Sequence, residues 1–77
     1  MGDVAEEGPY LLEETLKSWL NRNVVVAIGG EHLFTGTLRD FDEEVILLEK
    51  VKDFTGNRGN ALLVKIGDIN WIMLVEK

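Results

Sequence analysis

Hydrophobic positions keep one rhythm early in the chain and another for the remainder. Between residues 9 and 21, Leu11, Leu12, Leu16, Trp19 and Leu20 fall on one face of a helical period, while Glu13, Glu14, Lys17 and Asn21 fall elsewhere. The pattern predicts a helix over about 9–21. Gly8-Pro9 suits its start, because proline is tolerated in a first turn, and Asn21-Arg22-Asn23 suits its stop, because asparagine accepts the left-handed backbone that ends helices. Residues 1–8 are polar and acidic and are expected to be a flexible tail. From the β-branched run Val24-Val25-Val26 onward, short apolar stretches alternate with turn residues. Five strands are expected, at about 23–28, 33–39, 44–51, 61–66 and 70–75. Gly36 interrupts the second, where a missing side chain usually marks a bend or bulge. The longest loop is expected at Asp53–Asn60, with Gly56, Gly59 and two asparagines.

Two strands change the picture from a subunit to an assembly. Ala61-Leu62-Leu63-Val64 and Trp71-Ile72-Met73-Leu74-Val75 are apolar without alternation, as in strands covered on both sides. A chain of 77 residues buries only about 60–65% of its unfolded surface and is marginal alone. With no cysteine, neither disulfides nor thiolate metal sites can supplement the core. Apolar strand edges left unpaired aggregate, so edge-to-edge contact between the fourth strand of one subunit and the fifth of the next is expected. Such a contact is heterologous and closes into a ring when its rotation permits. Leu62, Val64, Ile66, Trp71, Ile72, Met73 and Leu74 are the interface candidates.

Charge narrows the partners. A net charge of −6 opposes general phosphate-backbone or DNA binding, so any nucleic-acid contact must be local. The first residues carry no basic region followed by an apolar run, and no segment approaches the length of a membrane span. A soluble cytoplasmic protein without membrane partners is expected.

One helix, five short strands, a bent second strand and an acidic second turn together resemble the Sm-like (LSm) family, closest to its small archaeal members. The likeness runs from Val24 to Leu74. Val24–Ile28, Gly30, Phe34-Thr35-Gly36-Thr37-Leu38 and Phe41-Asp42 are similar to the family's first motif, and Val64–Ile72 is similar to its second. The resemblance implies a mainly β fold, a strongly bent five-stranded antiparallel barrel of SH3 type under an N-terminal α-helix, comprising residues 9–77 as a single domain. It also implies a homo-hexameric or homo-heptameric ring joined through strands four and five, binding single-stranded RNA at its pore. Asp42 matches the family aspartate. Glu44 stands where the archaeal pattern has His, Ile46 where it has the base-reading Asn, Lys65 at the Arg position and Ile66 at the Gly position. Isoleucine offers no donor or acceptor to a base edge, lysine lacks the planar guanidinium that stacks on a base, and glutamate repels phosphate. The expectation is a ring-forming binding scaffold with a degenerate uridine pocket. The alternative is a small SH3-like barrel that binds protein and no RNA.

Other chemistry has little material. The cluster Asp40, Asp42, Glu43 and Glu44 offers hard oxygen ligands but lacks a spaced cation-loop pattern, and solvated turn carboxylates are the simpler reading. Ser18 is the sole serine, His32 the sole histidine, and they are far apart in sequence, so no nucleophile–base pair is expected and the chain is read as no enzyme with no cofactor. Arg58, flanked by Asn57 and Gly59 in the longest loop, joins Asp42 and Lys65 as an RNA-contact candidate. Trp19 and Trp71 sit among apolar neighbours and are read as packing residues.

Overall fold

The computed structural model describes residues 3–30 and 32–75 and places a helix, α1 (Asp3–Ser18), before five strands: β1 (Asn23–Ile28), β2 (His32–Phe41), β3 (Val45–Asp53), β4 (Arg58–Lys65) and β5 (Ile69–Leu74). A one-turn 3-10 helix, Ile66–Asp68, links the last two strands. All pairings are antiparallel, in the order β4-β3-β2-β1-β5. The strands follow the predicted positions within a few residues. The helix is displaced toward the N-terminus: it begins at Asp3 and ends at Ser18, so residues 3–8, expected in the flexible tail, are helical. Pro9 lies inside it.

The helix stops through Asn21, whose φ of 66° is the left-handed conformation expected of it. Its amide then donates to Leu38 O at 2.6 Å, and Leu38 N donates back to Arg22 O at 2.9 Å, stitching the helix exit to the middle of β2. Leu16 is buried in the core, and Trp19 and Leu20 pack against it. Leu11 does not share that face. It is 70% exposed, because five residues of helical turn carry it well away from Leu16.

Two irregularities bend β2. Between Thr35 and Thr37 the partner strand advances from Lys52 to Glu49, so β3 carries an extra residue and Lys50 takes a left-handed φ of 55°. Between Leu38 and Asp40 the extra residue is in β2. Gly36 faces the first bulge. A Cβ there would lie 3.1 Å from Glu49 O and 3.3 Å from both Leu48 Cβ and Val51 Cγ2. The resulting curl encloses Leu16, Val24, Val26, Leu38, Ile46, Leu48, Val51 and Val64.

β4 and β5 remain the two edges of the sheet. Their side chains alternate, although residues 61–64 and 71–74 are apolar at every position: Leu62 and Val64 point inward, with Val64 fully part of the core, while Leu63 points out and is 65% exposed. On β5, Ile72 and Leu74 pack inward and Trp71 and Met73 are about half exposed. Ile66 also packs against the subunit's own core.

Candidate nucleic-acid interface

The turn between β2 and β3 is built around Asp42. Its Oδ1 accepts from Glu44 N at 2.8 Å and Val45 N at 3.0 Å, and its own amide donates to Val45 O at 2.9 Å. Those two backbone donors, Glu44 first, hold the carboxyl below its ordinary pKa, against a smaller opposing effect of desolvation. The carboxylate is therefore a structural clasp for an acidic turn in which Asp40, Asp42, Glu43 and Glu44 are all solvent-exposed. Among the described residues no group of His, Asp and Glu is placed to hold a metal ion.

The same turn lies beside the end of β4. Ile66 N donates to Glu44 O at 2.8 Å, and Lys65 is directly opposite Val45 in the β3–β4 ladder. The Asp42 turn and Lys65 thus lie at the same end of the sheet. Arg58 does not join them. It begins β4, seven residues from Lys65, at about 3.3 Å per residue some 23 Å away, and pairs with Lys52.

Ile46 is also placed differently from the expectation. It is fully buried at 0% exposure, opposite Val64, so position 46 serves the core and cannot present a side chain to a ligand. The adjacent residue whose side chain shares a face with Lys65 is Val45. Arg39, beside the acidic turn, is already engaged: Nη1 donates to Asn21 Oδ1 at 2.8 Å and Nε lies 3.5 Å from Glu49 Oε1. Sequence reasoning missed Val45 because the run Val45-Ile46-Leu47-Leu48 is apolar throughout and does not itself say which residues face inward.

A cleft of about 530 Å³ lies between α1 and this turn, lined by Leu12, Leu16, Phe41, Ile66 and the acids Glu13, Asp42 and Glu43. Among the described residues no helix is long and apolar enough to cross a membrane.

No protein-family model and no curated protein sequence matches the chain. Solved structures do. A conserved hypothetical protein from Pyrococcus furiosus is 57% identical, with 84% of this chain and 98% of that one covered and a TM-score of 0.75. The SmAP1 heptamer of Pyrobaculum aerophilum is 27% identical over 86% of this chain and 95% of its own, with a TM-score of 0.77. The chain belongs to the Sm-like family. An Sm protein of Pyrococcus abyssii solved with a uridine heptamer has the same fold as this Sm-like chain, at a TM-score of 0.72 and 16% identity over 80% of this chain and 94% of its own. Within this Sm-like subunit, Gly36 sits at the bend, Asp42 closes the acidic turn and Lys65 stands beside it.

Proposed function

We propose that this protein is a ring-forming RNA-associated scaffold, without enzymatic activity, whose subunits join β4 to β5 and whose Asp42–Lys65 turn handles single-stranded RNA with little base selectivity. The observation that carries the reading is the pair of unpaired edges bearing outward Leu63 on one side and outward Trp71 and Met73 on the other. At about 1.5–3 kcal/mol for each such side chain fully buried, covering the exposed parts of the three contributes roughly 3–4 kcal/mol per joint, besides the edge hydrogen bonds. Ring assembly of the P. aerophilum relative and uridine binding by the P. abyssii protein support the same reading.

Weak base reading follows from the turn's chemistry. Lys65 supplies charge without a stacking plane, Val45 beside it has no hydrogen-bonding group, and Glu44 repels phosphate. The test is solution mass followed by titration with oligo-U and oligo-A at several salt concentrations. The expected result is an oligomer that falls to monomer on Leu63→Lys with Met73→Lys and that binds both RNAs with similar, salt-sensitive affinity. A wild-type monomer at micromolar concentration sinks the ring, and tight oligo-U selectivity abolished by Lys65→Ala sinks the weak-reading argument.

A further inference from the structure

We infer that the β3–β4 hairpin carries a second, sequence-independent site for the phosphates of the RNA backbone, formed by Lys50, Lys52 and Arg58. The inference rests on the RNA-binding reading above and adds a place of contact remote from the Asp42–Lys65 turn.

Three features of the fold converge there. First, Lys52 and Arg58 are directly opposite each other across the β3–β4 ladder, so their side chains leave the sheet on the same face. Like charges so placed repel, and a chain of net charge −6 has abundant acids with which to compensate them. It does not do so. Among the described residues neither cation, nor Lys50, forms an ion pair. Second, the acids that flank Lys50 and Lys52 in β3 are committed elsewhere. Asp53 accepts from Thr55 N and Oγ1 and from Asn57 N and Nδ2, closing the hairpin turn, and Glu49 faces Arg39.

Third, the bulge re-aims Lys50. Ile46 and Leu48 point inward, and regular alternation would send residue 50 inward as well; the left-handed residue instead passes the inward position to Val51 and leaves Lys50 exposed. The three cations then border an open depression of about 580 Å³ with Gly59 and Asn60. Such a shallow cationic surface offers phosphates charge and an amide donor but no enclosed pocket for a base. A flexible polyanion passing over it neutralises the Lys52–Arg58 repulsion.

The experiment compares the full-length wild type with Lys52→Gln/Arg58→Gln, using oligo-U, oligo-A and inorganic polyphosphate over a range of salt. The expected result is equal weakening for both RNAs, with the slope of log affinity on log salt shallower by about 1.4, two contacts at about 0.7 each on a single strand. Without ligand and at low salt, the double variant should also melt at a higher temperature, because the cross-strand repulsion is gone. An unchanged salt slope for RNA overturns the site, including the case in which the patch serves an acidic protein. Polyphosphate binding that the variant loses, in a wild type that binds neither RNA, keeps the phosphate site and refutes RNA as its ligand and the scaffold reading with it. Weakening confined to oligo-U also overturns the inference, since backbone contacts carry no base preference.

Discussion

Gly36→Ala is the most direct test of the bend. The added methyl would lie 3.1 Å from Glu49 O, on the backbone of the bulge, and 3.3 Å from Leu48 Cβ and Val51 Cγ2, two core residues. None of these neighbours is the free end of a long side chain, and the carbonyl cannot retreat without changing the strand that curls the sheet. Overpacking of this kind costs about 1–3 kcal/mol. The gain from restricting the unfolded chain offsets about 0.4–1 kcal/mol of it, leaving a net loss of about 1–2 kcal/mol. For a domain of this size that lowers Tm by roughly 5–15 °C. The assay is thermal unfolding followed by circular dichroism at one fixed protein concentration, since any self-assembly makes Tm concentration-dependent. Gly59→Ala is the control, because a Cβ at 59 meets nothing within 4 Å. A Gly36→Ala protein melting within about 2 °C of the wild type, like the control, would refute the close-approach argument.

Ile46→Asn should destabilise the subunit by about 2–4 kcal/mol in urea unfolding without improving oligo-U binding, because it buries an amide in the core. Val45→Asn, on the face of Lys65, should raise oligo-U affinity over oligo-A several-fold; the opposite pattern would restore position 46 as the base-reading site. Asp42 and Asp53 both have carboxyl pKa values below the ordinary 3.8, Asp42 through the amides of Glu44 and Val45 and Asp53 chiefly through the Thr55 hydroxyl. A pKa depressed by folding contributes stability that is present above the unfolded value and lost as pH falls through the folded one. Denaturation midpoints should therefore drop below about pH 4, and less steeply in Asp42→Asn/Asp53→Asn; identical pH profiles would contradict the clasp role.

The sequence revealed the architecture well because its punctuation is local. Asn21 ends the helix, Gly36 marks the bend and β-branched runs mark the strands, each through a backbone preference that needs no knowledge of distant neighbours. Phase was harder to read. In Leu62-Leu63-Val64 every residue is apolar, so nothing in the sequence says that Leu63 points out and Val64 in. The bulges at Lys50 and near Arg39 each shift the alternation of their own strand by one residue, while in Val45-Ile46-Leu47-Leu48 nothing in the sequence says that Ile46 faces the core and Val45 lies beside Lys65. Asp42 and Lys65 were singled out by their positions in the Sm-like motifs, whereas Arg58 was added as an arginine beside Gly59 in the longest loop, and the sheet places it at the other end of β4. Pro9 misled the placement of the helix start, since a local breaker signal was overridden.

The pairing of β5 with β1 joins Val24 to Leu74, fifty positions apart in the chain. On a ribosome, β1 (ending at Ile28) is complete about forty residues before β5 begins at Ile69. During that interval β1 presents an open, β-branched edge to every neighbouring nascent chain, and only synthesis through Leu74 closes it. The non-local step is also the slow one, because the loop must close before its contacts stabilise anything. The sheet is therefore complete only when its last strand has docked on its first.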